Sequence, residues 1–88
     1  MTEDLILENL EKLLTDLDVE LRYEKGSFRG GFYRYKDKCA VVINKDLNVN
    51  HKITLVATEL KMNFDLDSLY VVPALREVIS NAGRLGQQ

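Results

Sequence analysis

Eighty-eight residues make one domain, close to the lower size at which a chain folds without disulfides or a metal to staple it. A hydrophobic fraction of 45% beside 30% charged residues excludes disorder along the whole length. One cysteine, Cys39, excludes an internal disulfide and suits a reducing compartment; with no apolar signal core and no run of about 18 apolar residues, a cytoplasmic protein with no membrane partner is expected.

The net charge of −2 is unevenly spread. Residues 1–20 carry seven acids against Lys12, whereas residues 21–38 carry six basic residues against Glu24 and Asp37. The remainder has five of each sign. An acidic helix face beside a basic hairpin accounts for this, with or without a binding role.

Thr2, followed by Glu3 and Asp4, suits a helix start, where acids favour the free N–H groups of the first turn. Ile6, Leu10, Leu13, Leu14 and Leu17 make one apolar stripe, and the helix is expected to end near Leu17 or Asp18. The period then changes. Val19, Leu21 and Tyr23 alternate with Glu20, Arg22 and Glu24, which reads as a strand with one buried and one wet face. Lys25-Gly26-Ser27 turns the chain, Gly30-Gly31 tolerates positive φ, and Phe32 to Lys36 reads as a second strand.

After Lys36-Asp37-Lys38 comes the most apolar stretch, Cys39-Ala40-Val41-Val42-Ile43-Asn44. Apolar residues on successive positions predict a central strand covered on both faces. Asn48 and Asn50 are candidate N-caps for a helix over His51 to Met62; Ile53, Val56, Ala57, Leu60 and Phe64 follow helical spacing while Leu55 and Met62 widen the apolar arc. Pro73 suits the first turn of a last helix with the stripe Leu75, Val78, Ile79 and Ala82, and Gly83 suits its end. The expected fold is α+β: a helix, a three-stranded antiparallel meander, then two helices packed on the sheet. One domain spans 1–83, with a frayed tail at 84–88.

An isoleucine–asparagine strand end, a polar loop, and then Ile53-Thr54-Leu55-Val56-Ala57-Thr58-Glu59-Leu60-Lys61-Met62 resemble the strand–helix core of the ImmA/IrrE-type zinc metallopeptidases. That family carries His-Glu-x-x-His on the helix, two imidazoles holding zinc and the glutamate acting as general base. Aligned on Glu59-Leu60, both ligand positions differ: Thr58 and Met62 replace the histidines, and only Glu59 remains. The single histidine, His51, lies upstream. The resemblance therefore implies a scaffold without its metal, and neither cofactor nor catalysis is expected. The whole chain also resembles a group of small uncharacterised bacterial proteins, through Gly30-Gly31, Val42-Ile43-Asn44, and Asp65-Leu66 leading to Tyr70-Val71-Val72-Pro73-Ala74-Leu75-Arg76-Glu77. That likeness implies the α-βββ-αα order and no activity.

In the hairpin over residues 22–38, Phe28, Arg29, Phe32, Tyr33, Arg34, Tyr35 and Lys36 interleave aromatic rings with cations, as single-stranded nucleic-acid platforms do, and all but Phe28 are candidate binding residues. An RNA-recognition-motif signature begins at Arg29-Gly30 but is broken by Gly31 and Phe32. In a strand, Phe32, Arg34 and Lys36 share one face and Tyr33 and Tyr35 the other. Asp65, Asp67 and Ser68 lack the further acids of a calcium loop. Leu5, Leu7, Leu55, Met62, Tyr70, Val71 and Val72 exceed what three neat stripes need. The expected function is a non-catalytic interaction module, a homodimer or the partner subunit of another protein. The alternative is nucleic-acid or anionic-ligand binding through the hairpin.

Overall fold

The computed structural model describes residues 2–85. Helix α1 (Glu3–Asp16) starts where the Thr2 side chain accepts a hydrogen bond from the Leu5 N–H. It ends at the Leu17 cap, after which Asp18 takes a left-handed φ of 62°. Strands β1 (Val19–Glu24), β2 (Gly30–Tyr35) and β3 (Lys38–Asn44) follow, then α2 (Val49–Asn63), one turn of 3-10 helix (Leu66–Ser68) and α3 (Pro73–Leu85). Asn48, not Asn50, caps α2, accepting from the His51 N–H at 2.9 Å. Helix α3 runs through Gly83 to Leu85 instead of stopping at the glycine, so residues 84 and 85 of the tail expected at 84–88 are helical; residues 86–88 lie outside the described residues.

The α+β class holds, but the meander does not. The sheet is mixed, in the order β1-β3-β2, with β1 parallel and β2 antiparallel to β3. A meander in chain order would have put the most apolar strand on an edge. Placing β3 in the middle lets the two less buried strands take the edges, where one wet face is tolerated. Only Tyr35-Lys36-Asp37-Lys38 is a tight hairpin, with Lys36 at a φ of 56° as the first position of a primed turn requires. The connection over residues 25–29 instead crosses the end of β3 to reach the far edge.

The crossing is held by Asn44, the one buried polar residue among those described. Its Nδ2 donates to the carbonyls of Gly26 (2.9 Å) and Phe28 (2.5 Å), while its Oδ1 accepts from the Asp46 N–H (2.9 Å). Its backbone N–H donates to Arg29 O, and its carbonyl accepts from Leu47 N–H. The Lys45 N–H closes the other side on Glu24 O. At the entry to β2, Gly30 has a φ of 125°, and a Cβ built there would lie 2.1 Å from Val42 O. Gly31 has nothing within 4 Å of its Cβ position.

Helices cover one face of the sheet only. Helix α1 lies over β1 and α2 over β2 and β3, whereas α3 packs chiefly on α2 and touches α1 rather than lying on the sheet as expected. Val19, Leu21, Phe32, Cys39, Val41 and Ile43 meet Leu10, Leu14, Leu55, Val56, Ala57 and Leu60 beneath the helices, and Val71, Leu75, Ile79 and Ala82 extend that core into α3. The face of β3 away from the helices bears Ala40 and Val42, which are 8% and 6% exposed between the two flanking strands.

Two stability outcomes follow from this framework. Gly30→Ala loses about 2–4 kcal/mol in urea unfolding, because a Cβ cannot share space with a central-strand carbonyl. Gly31→Ala changes stability by no more than about 1 kcal/mol, in either direction. Asn44→Ala loses about 2–4 kcal/mol by leaving two carbonyls and an N–H without their partner. Asn44→Asp does no better, since a carboxylate then faces two carbonyl oxygens; equal stability of Asn44→Asp and wild type would refute this account of the crossing.

Candidate functional site

The pleat divides the predicted hairpin residues. Phe32 points to the helix side, where its ring meets Phe64 edge-to-face with centroids 5.8 Å apart. Arg34, paired in register with Cys39, belongs to the same side of the sheet but is exposed. Tyr33 and Tyr35 stand on the opposite face, 49% and 69% exposed. Lys36 is in the turn with its Nζ 5.4 Å from the centroid of the Tyr35 ring, and Arg29 is exposed in the crossing loop. Tyr33, Tyr35 and Lys36 thus share one surface; Phe32 and Arg34 do not join it.

By register, the uncovered face also carries Glu20, Arg22 and Glu24 from β1 and Lys38 from β3. Arg22 is paired with Glu24 at 3.1 Å. Glu20 and Glu24 therefore stand among Arg22, Lys38 and Lys36 on this face, and the interspersed signs keep any positive field from concentrating.

The helix that resembles a metallopeptidase core is arranged for packing. Leu55, Val56, Ala57 and Leu60 are buried, but Met62, expected to widen the apolar arc, is 74% exposed. Glu59 accepts a hydrogen bond from the Asn63 Nδ2 at 3.1 Å. The Thr58 hydroxyl is buried without a hydrogen-bond partner. His51 sits exposed in the first turn. Among the described residues, no three His, Cys, Asp or Glu side chains converge as metal ligands. Cys39 is half-buried rather than fully enclosed, a free thiol beside Val19 at the start of β3.

The surplus apolar residues divide likewise. Leu55 and Val71 are in the core and Leu7 packs against it, while Leu5, Met62, Tyr70 and Val72 are exposed. A cleft of about 290 Å³ between the end of α2 and α3 is lined by Phe64, Val71 and Ile79 with Lys61 and Arg76 at its rim. Both cations are already engaged. Lys61 donates to Ser80 O at 2.9 Å, and Arg76 donates to Leu66 O (3.1 Å) and Leu69 O (3.3 Å) while pairing with Asp67. Asp65 accepts from the Asp67 N–H, as a turn cap does.

One polar cluster lay outside the reach of sequence reasoning. The Tyr23 hydroxyl donates to Glu11 Oε2 on α1, and the Lys52 ammonium of α2 stands 5.4 Å from the ring centroid. Partial burial, then the hydrogen bond to Glu11 and its negative charge, push the phenol well above its ordinary value near 10.0. Nothing in the sequence pattern joins residues so far apart along the chain.

No protein-family model, no curated protein and no solved structure matches this chain. No helix among the described residues is long and apolar enough to cross a membrane.

Because the folded state holds the Tyr23 phenol neutral beyond the pH at which the unfolded chain ionises it, its contribution is complete below pH about 10 and declines as pH rises past that point. Tyr23→Phe should flatten the alkaline fall in stability followed by urea unfolding between pH about 9 and 11. An unchanged slope would show that the phenol is not held by Glu11.

Proposed function

We propose that this chain is a small non-catalytic interaction module that works by self-association through the side of the sheet carried by β2. The observation behind the reading is the one-sided helical cover. It leaves β2 on an open edge and sets Tyr33 and Tyr35 on a face no helix occupies. Tyrosine offers much contact area at low entropic cost and is enriched in protein interfaces. The reading gives no catalytic task to Glu59, His51 or Cys39, needs no cofactor, and suits a cytoplasmic chain.

Sedimentation velocity across about 5–500 µM tests it, a range suited to the weak dimers that small interfaces form. The expected result is a weight-average mass that climbs from 10.1 kDa toward twice that value with concentration, and Tyr33→Ser with Tyr35→Ser suppresses the climb. A constant 10.1 kDa throughout rules out self-association and leaves a different protein as the occupant.

A second reading, binding of single-stranded nucleic acid, is favoured by one feature: the exposed Tyr33 and Tyr35 rings lie beside the Lys36 ammonium, a stacking surface with a cation. It predicts that a mixed-sequence oligonucleotide binds, that affinity falls steeply with salt, and that Tyr35→Ala weakens it about tenfold. The acids Glu20 and Glu24 on that face, the second paired with Arg22, argue for the protein partner first.

A further inference from the structure

The backbone of β2 defines how a second copy would add. The Asn44 N–H donates to Arg29 O, and Tyr35 faces Lys38 across the two-residue turn. In an antiparallel ladder the bonded residues alternate, so Arg29, Gly31, Tyr33 and Tyr35 aim their N–H and C=O groups at β3. Phe32 and Arg34 aim theirs outward. Among the described residues, no other element's backbone or side chain is bonded to those outward groups. Gly30 would be the third such residue, but its φ of 125° bends the strand, so the regular free edge is residues 31–35.

Resting on the self-association reading, we infer that β2 pairs antiparallel with β2 of a second copy about a two-fold axis at Tyr33, making one six-stranded sheet. Outward-facing residues must meet outward-facing residues, or the ladder does not form and the two helical layers fall on opposite faces. Of the registers that satisfy this, Arg34 opposite Arg34 sets like charges face to face and Phe32 opposite Gly30 leans on the bent residue, which leaves two to compare. Setting Phe32 opposite Phe32 puts Arg34 opposite the bent Gly30. Setting Phe32 opposite Arg34 uses the regular residues alone and places Tyr33 opposite Tyr33.

Side-chain chemistry selects the second register. Tyr35 then faces Gly31 of the second copy, where the Cβ position has nothing within 4 Å and leaves room for a ring. Arg29 comes alongside Asp37 of the second copy, and the symmetry repeats that opposite-charge pair. Arg34 faces Phe32, a cation beside a ring, and never another Arg34. Charges on an edge strand commonly deter pairing, but here each positive charge has an acid, a ring or a glycine opposite it. The two tyrosines at the centre form a non-hydrogen-bonded pair, the closest side-chain approach an antiparallel ladder offers.

Cysteine scanning in a Cys39→Ser background tests the register. Mild oxidation of Tyr33→Cys is expected to convert most of the chain to covalent dimer. Gly31→Cys and Tyr35→Cys are each expected to stay uncross-linked alone and to cross-link when mixed. Arg34→Pro removes an outward N–H without touching the ladder to β3 and should raise the dimer dissociation constant at least tenfold. Should that variant misfold, hydrogen exchange on the unaltered chain reads the same edge: the Phe32 and Arg34 amides slow markedly between dilute and concentrated samples. If the unaltered chain dimerises while Tyr33→Cys stays monomeric on oxidation, or those amides exchange at one rate throughout, the edge pairing is overturned and self-association stands. If the unaltered chain sediments as a monomer at every concentration, self-association itself is refuted and this pairing with it.

Discussion

A single amide side chain organises the topology. Asn44 ends β3, which is buried along most of its length, and both ends of its side chain are used. The donor end grips the loop crossing from β1 to β2, and the acceptor end starts the turn toward α2. An asparagine is the side chain that can do both, with two donors and an acceptor on one planar group. A leucine there would leave the loop carbonyls of Gly26 and Phe28 without donors in a partly buried place, at a cost of about 1–3 kcal/mol for each unmet group. With the loop held, β1 can run parallel to β3 while β2 returns along the far edge by a two-residue turn. The place of β2 on the far edge depends on that crossing.

A three-stranded sheet with two helices on one face makes a thin core, and the third helix compensates. Helix α3 adds Leu75, Ile79 and Ala82, with Val71 from its approach, behind α2 instead of on the sheet. Full burial of a side chain such as Ile79 contributes about 1.5–3 kcal/mol, a large share of the stability of a chain this short. That is why α2 is buried toward the sheet, toward α1 and toward α3. It is also why its apolar positions spread around more of its circumference than a surface helix needs. Arg76 secures the arrangement by donating to two carbonyls of the segment that joins α2 to α3. A helical pattern of apolar residues around a glutamate is thus sufficiently explained here by packing on three sides.

Much of this was legible in the residues, and the failures have physical causes. The three helices, the alternation of β1, the central place of β3 and the cap at Thr2 all follow from periods and local hydrogen bonding, which short stretches of chain carry. Strand order does not. Lys25-Gly26-Ser27 and Lys36-Asp37 both read as turns, yet only the second closes a hairpin, because the first is tied to Asn44 from much further along the chain. The continuous apolar run of β3 did contain the answer, since an edge position for it conflicts with its own composition. The cover expected on both faces of that run comes from helices on one face only; on the other, Ala40 and Val42 are buried between the two flanking strands. The Tyr23–Glu11–Lys52 cluster joins three elements and left no local trace.

The basic block shows how a charge run in sequence can fail to become a charge patch in space. In a strand, successive side chains leave by opposite faces, so Arg34 and the tyrosines beside it part company. Arg22 is neutralised by its neighbour but one, Lys36 lies over the Tyr35 ring, and Arg29 belongs to the loop. Against a phosphate backbone such a spread is weak, because counterion release rewards cations aligned along one track. Strand addition rewards something else: unpaired N–H and C=O groups at a regular spacing, with side chains that alternate between filling and leaving space. Residues 31–35 supply those groups, and the empty position over Gly31 beside the full one at Tyr35 supplies the alternation. Under the proposed pairing of this edge, backbone geometry and ring shape therefore outweigh net charge.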